Sequence, residues 1–313
     1  MTNFKRKKTK VTNNKKRVRR SELAVPGSSE KMMQKAAAGK ADMVFLDLED
    51  AVAPNAKVEA RSKIITALKE LNWSGKTTCV RINDLGTQWA YEDIIAVVEG
   101  AHQHLDLIMI PKVMHASDVK FVDTLLTQIE KKLKTNKRIG LEVLIEEVEA
   151  MMNVEDIARS SSRLEALIYG VGDYSASQGI DLASIGGPSG YPGDMWHYGR
   201  HKITIAARAN RLDAIDGPMG NFKDLAAYSE ECRRARLCGM VGKWAIHPAQ
   251  IEPALEVFSP SQAAVDAARA TIKAYREAEA QGLGAVNING EMVDAASARI
   301  LANVLDMADR IGM

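Results

Sequence analysis

The sequence predicts a (β/α)8 barrel, the TIM barrel, closed by a small C-terminal lid. Three observations carry this. Eight short runs rich in Val, Ile and Leu recur along the chain, segments with helical spacing lie between them, and 313 residues at 46% hydrophobic content suffice for one core of that size. Apolar strands alternating with helices imply a parallel sheet covered on both faces, and eight such units are what closes a barrel.

The runs, in order, are SELAVPG (21–27), DMVFLDLED (42–50), TTCVRIND (77–84), LDLIMIPK (105–112), RIGLEVLIE (138–146), LEALIYGVGD (164–173), LDAIDGP (212–218) and MVGKWAIHP (240–248). Each is a strand with a polar or glycine-containing exit. Helical spacing follows at 57–71, 117–133 and 224–239. An open doubly wound sheet is the other architecture, but no GxGxxG follows the first strand. After the eighth strand, helices are expected at 260–281 and 295–311, around GAVNINGEMVD (284–294), where Asn289-Gly290 reads as a hairpin turn. That piece is too small for a core of its own, so it should dock on a barrel, its own or a neighbour's. The expected domains are a basic, disordered tail over 1–18, a barrel over 19–255 and a lid over 256–313.

The net charge of +2 hides an asymmetry: the first 20 residues hold ten Lys or Arg and no acid, leaving 32 basic against 40 acidic residues in the body. Such a tail is either a solvated extension or a polyanion-binding arm, and it lacks stacking aromatics beyond Phe4. No apolar stretch is long enough to span a bilayer and no signal sequence is evident, so a cytoplasmic location is expected. Cys79, Cys232 and Cys238 lack a CxxC pair and suggest neither a disulfide framework nor a thiolate zinc site.

Chemistry in these barrels collects at the carboxyl ends of the strands. Those ends carry Asp47, Glu49, Asp50, Arg81, Asn83, Lys112, Glu142, Glu146, Asp173, Asp216, Lys243 and His247. Carboxylates gathered together repel unless a cation sits among them, and oxygen ligands suit magnesium or manganese. Glu142 lies inside the apolar run IGLEVLI, where an unpaired carboxylate is costly, and Asp173 follows the glycines of GVG. These two are expected to hold magnesium; the other reading is that Glu142 pairs with a nearby Arg or Lys and Asp173 caps a helix. Arg81 could hold a carboxylate, stabilise an oxyanion, or tie down the DLED acids. His197 and His201 stand four apart with no third ligand evident. His247 is expected to pack or hydrogen-bond.

Taken together, RRSELAVPGS, FLDLEDAVAPNAK, VRIND, LIMIPKV, GLEVLIE, YGVGDYSAS, GMVGKWAIHPAQ and EMVDAAS resemble, in order over residues 19–313, the HpcH/HpaI aldolase and citrate lyase β-subunit family, its malyl-CoA lyase branch in particular. The resemblance implies a magnesium-dependent barrel that assembles as trimers or hexamers and cleaves malyl-CoA, and β-methylmalyl-CoA, to glyoxylate plus acetyl-CoA or propionyl-CoA. It implies Glu142 and Asp173 as magnesium ligands, with Arg81, Gly172 and Asp173 around the glyoxylate. Asp294, reached from the lid of an adjacent subunit, would be the acid and base at C2 of the acyl group. Glu49, with Asp50, would orient Arg81 and the metal's waters, Asp47 would anchor the strand exit, and Arg20 and Lys35 would meet the phosphates of coenzyme A. Ser29, where an arginine is common, and a shortened stretch from Ile185 to Tyr198 depart from the pattern. Two other activities fit the same family: a malyl-CoA thioesterase, whose relatives lack an aspartate at the Asp294 position, and a citramalyl-CoA lyase. A reading of another class is nucleic-acid binding through the tail.

Overall fold

The computed structural model describes residues 17–188 and 190–313, so residues 1–16 of the expected tail lie outside the described residues. Eight parallel strands close a barrel: β1 (Ser21–Pro26), β2 (Met43–Asp47), β3 (Thr77–Arg81), β4 (Leu107–Ile110), β5 (Gly140–Ile145), β6 (Leu164–Tyr169), β7 (Asp213–Asp216) and β8 (Gly242–Ala245). Neighbours in sequence pair with each other, and β8 returns to β1 through Ser21 opposite Lys243. One strand lies in each of the eight apolar runs. The jacket is made of α1 (Glu30–Ala38), α2 (Lys57–Glu70), α3 (Ala90–Ala101), α4 (Ala116–Lys132), the short α5 (Val148–Met152), α6 (Val154–Ala158) and α7 (Val171–Ser177), then α8 (His197–Ala209), α9 (Leu225–Leu237) and α10 (Ile251–Phe258).

Period-two alternation sorts the strand residues into two cores. Met43, Phe45, Cys79, Leu107, Met109, Leu144, Ile168, Ile215 and Trp244 fill the barrel, while the larger cluster lies between strands and helices. On β5 the alternation sends Glu142, Leu144 and then Glu146, just past the strand, toward the interior. The two glutamates are separated along the strand by about 13 Å, at roughly 3.3 Å per residue.

The amino-terminal end of the barrel is a buried ionic floor. Arg17 bonds Glu165 and pairs with Asp106 at 3.3 Å, so the chain is anchored from Arg17 on. Arg19, 1% exposed, meets Glu142, Glu165 and Asp213. Glu22 accepts from Trp244 Nε1 at 3.1 Å, while its nearest cation, Arg19, is 3.8 Å away. Burial pushes the Glu22 carboxyl up to about 7, only partly offset by Arg19. A carboxyl raised in the folded state stabilises below its unfolded value and loses that contribution as pH rises through the folded value. Glu22→Gln is therefore expected to be as stable as the native chain at pH 5 and more stable at pH 8, by at most about 3 kcal/mol. Denaturant unfolding at the two pH values checks this.

Beyond α10 come α11 (Gln262–Ala280), the antiparallel hairpin β9 (Ala285–Ile288) with β10 (Glu291–Asp294), and α12 (Ala295–Ile311). Asn289 (φ 54°) and Gly290 (φ 90°) form the turn between the strands, both in the left-handed region that this pair tolerates. The far end of α12 docks on the barrel floor: Arg310 bonds Asp213, the first residue of β7, and Met307 packs against the interior cluster. Asp294 caps the near end, accepting from the Ala296 and Ser297 amides at 2.9 Å.

Candidate active site

The charged groups sit at the carboxyl ends of β2 to β6. Asp47 and Arg81 end neighbouring strands and are register partners, so their side chains emerge side by side. Arg81 forks onto Asp47 through two 2.7 Å bonds from Nε and Nη2. Its guanidinium also lies over the Phe45 and Trp244 rings, 5.8 and 5.5 Å from their centroids. Burial alone would raise the Asp47 carboxyl, but Arg81 and the Glu49 and Ala51 amides outweigh it and hold it below the usual carboxylate range.

The turn after β2 is fixed from below. Lys57, at the start of α2, donates to the Leu48 and Glu49 carbonyls and to Asn83 Oδ1. That aims Glu49 at two cations: its Oε2 is 2.9 Å from Arg81 Nη1, and its Oε1 accepts from Lys112 Nζ at 2.7 Å. Burial leaves Glu49 above its ordinary pKa despite both. Lys112 adopts φ 48°, which turns its N–H onto Glu146 Oε1 at 2.7 Å. Lys112 thus braces both glutamates, with its backbone on one and its ammonium on the other.

Glu146, 1% exposed, is pushed up to about 8 by burial and by the nearby charges of Glu49 and Asp173, with Arg81 opposing. Asp173 lies in the first turn of α7, half-buried, and makes no hydrogen bond or ion pair among the described residues. Gly170 is what lets the β6 exit approach: a Cβ there would stand 2.4 Å from Glu146 Cβ and 2.5 Å from its Oε2. Gly170→Ala is expected to cost about 1–3 kcal/mol of stability by overpacking and to shift Glu146, which lowers divalent-ion affinity. Thermal unfolding with and without magnesium checks both effects.

Glu146, deeply buried without a matching cation, feels the charges of both Glu49 and Asp173, and carboxylate oxygens of this kind suit magnesium or manganese. The donors fit, but they are not the expected pair. Glu142 lies at the opposite end of the barrel, paired with Arg19, so it shares no coordination sphere with Asp173; the glutamate beside Asp173 is Glu146, four residues on. The right strand face was read in the wrong layer.

Other expectations also change place. Arg20 precedes β1 and forks onto Asp42, with a further bond to Ser259, at the floor rather than the rim. Lys35 is exposed in the last turn of α1, whereas Lys31 on the same face stands one turn nearer the rim. It is Asp47 that orients Arg81 most closely, while Asp50 reaches Lys112, at 3.6 Å. Gly172 lies beside Asp173 with Ile185 packed against it. Asp216 and Lys243 alternate with the interior residues Ile215 and Trp244, so they face outward, joined at 2.6 Å and bonded to Arg200 and Glu231 on α8 and α9. His247 stacks on Phe222 and accepts from the Ala249 amide.

The chain matches a family model described as HpcH/HpaI aldolase/citrate lyase over residues 20–248. It is 41% identical over 305 residues to an L-malyl-CoA/β-methylmalyl-CoA lyase of Cereibacter sphaeroides, covering 94% of this chain and 96% of that protein. It is 34% identical to a (3S)-malyl-CoA thioesterase of the same organism, over 88% and 89% of the two chains. Among solved structures it resembles the protein CitE of Mycobacterium tuberculosis in complex with magnesium, acetoacetate and coenzyme A, with TM-score 0.72 and 26% identity over 92% of this chain and 97% of that one.

Proposed function

Because the chain belongs to the HpcH/HpaI aldolase/citrate lyase family, we propose that it is a magnesium-dependent carbon–carbon lyase, cleaving (S)-malyl-CoA and β-methylmalyl-CoA reversibly to glyoxylate plus acetyl-CoA or propionyl-CoA. One observation carries the reading: Glu146, Glu49 and Asp173 converge beside Arg81 at the barrel rim, a cation site next to a fixed guanidinium.

Glu146 and Asp173 would hold the ion, and Lys112 and Arg81 would position Glu49 beside them. Bound there, magnesium would supply Lewis-acid charge to the keto acid. Asp47 takes two of the five N–H donors of Arg81, leaving others for the negative charge that develops on the thioester oxygen as the carbon–carbon bond breaks. The Phe45 and Trp244 rings and the Asp47 fork keep that guanidinium in place, so little reorganisation is needed during reaction. Lys31 and Lys35 lie on the exposed face of α1 and could meet coenzyme A phosphates.

The proton donor and acceptor at C2 would be Asp294 of a second copy. Within one chain, Asp294 lies about 24 Å along α12 from Arg310, at 1.5 Å per residue, and Arg310 is fixed at the barrel floor, the end away from the cluster. A homo-oligomer brings one chain's hairpin to another chain's rim.

The test is to incubate the protein with magnesium and (S)-malyl-CoA and to identify the products. Glyoxylate plus acetyl-CoA supports the lyase. Malate plus free thiol supports the second reading, a thioesterase, which the 34% identical relative keeps in view. The absence of both products overturns the proposal.

A further inference from the structure

The motif left over from the sequence is the histidine pair on α8. His197 and His201, four residues apart on one helix face, have ring centroids 4.4 Å apart and planes at 66°. Cys238, the residue that ends α9, completes the set: one nitrogen of each ring and the Cys238 Sγ lie within 4.8 Å of one another. The thiol arrives from 37 residues further along the chain, after β7 and α9. Only the packing of α9 against α8 reveals it, through Arg208 Nη2 on the Gly239 carbonyl at 2.8 Å and Gly239 close to Thr204.

We propose that His197, His201 and Cys238 form a zinc site on the outer wall of the barrel, with the fourth position open to water, which ties α8 to α9. Tetrahedral zinc, with bonds of about 2.0–2.1 Å to nitrogen and 2.3 Å to sulfur, needs ligand atoms about 3.3–3.7 Å apart. Closing from 4.8 Å takes shifts of about 1 Å, within reach of side-chain torsions because His197 is exposed and the other two are half-buried. Two imidazoles and a thiolate select zinc or another soft ion, not magnesium, so this site and the carboxylate cluster divide metals by chemistry. Burial holds the Cys238 thiol above its ordinary pKa, Asp194 and Asp216 adding to the effect and Arg200 opposing it. Metal uptake would therefore release the thiol proton to solvent as the sulfur–zinc bond forms. Cys79 and Cys232 are fully buried and offer no competing thiolate.

Cobalt(II) replaces zinc in such sites and reports its ligands by absorption. The chelator-treated full-length protein is titrated with cobalt(II) in excess magnesium, which keeps the carboxylate cluster occupied. The expected result is one cobalt per chain, with a thiolate charge-transfer band and the intense visible bands of tetrahedral geometry, both bleached by one equivalent of zinc. Cys238→Ser should lose the charge-transfer band, and His201→Gln should lose stoichiometric binding. Both variants should keep native magnesium-dependent turnover, which shows that they fold, while zinc should raise the Tm of the native chain and not of either variant. A native chain that binds no cobalt, or a charge-transfer band that survives in Cys238→Ser, overturns the proposal.

Discussion

Glu146→Gln is expected to raise the magnesium concentration for half-maximal turnover by on the order of 100-fold or more, whereas Glu142→Gln leaves it unchanged. The argument is electrostatic. A unit charge about 4 Å from a divalent ion contributes about 8 kcal/mol at an effective dielectric near 20, twice the value for two unit charges, and even after the cost of dehydration the loss of one of two anionic ligands removes most of the affinity. Glutamine keeps the acceptor for the Lys112 N–H and about the same volume, so the backbone around it should stay in place. Glu142→Gln acts elsewhere. It leaves Arg19 with Glu165 and Asp213 but without one of its carboxylates, and breaking a buried pair costs about 3–5 kcal/mol. Magnesium titration of turnover, paired with denaturant unfolding, separates the two. An unchanged magnesium requirement in Glu146→Gln, with a large change in Glu142→Gln, returns the metal to the other residue and removes the proposed site.

The second large effect concerns Asp294. Asp294→Asn is expected to lower turnover by about 10²–10⁴, the contribution of a positioned acid or base, while leaving magnesium affinity intact. The test of where it acts is complementation. Asp294→Asn and Glu146→Gln chains, each nearly inactive alone at a magnesium concentration that just saturates the native chain, are dissociated, mixed in equal amounts and reassembled at that concentration. If each rim borrows its acid from a neighbour, roughly a quarter of the sites combine a native barrel with a native hairpin, and about that share of wild-type turnover returns. Activity no higher than the sum of the separate variants means that Asp294 serves its own chain, or none.

Much of the molecule could be read without coordinates, because the signals are local. The period of the apolar runs gave eight strands, and each run holds one; Asn289-Gly290 marked the hairpin because only a few residue pairs accept two positive φ values. The motifs LDLED, VRIND and GVGD lie at the exits of β2, β3 and β6. What failed was depth. Glu142 and Glu146 both alternate into the barrel, and a sequence has no coordinate for height along the axis, so only closure of the barrel put one on the floor with Arg19 and the other at the rim with Lys112. Asp216 and Lys243 show the same blindness sideways. At a strand exit one residue's difference decides between interior and jacket, and these two turned toward Arg200 and Glu231.

The sequence by itself determined the closed parallel barrel, the C-terminal hairpin and the family, since periodicity, turn chemistry and ordered motifs are properties of neighbouring residues. Tertiary structure alone decided which carboxylates bear on Glu146, that Arg20 is spent on Asp42, that α12 ends at the floor, and that a thiol meets two imidazoles. The physical reason is range: a charge is costed by whatever closure of the chain brings within a few ångströms of it, and that depends on residues tens to hundreds of positions away.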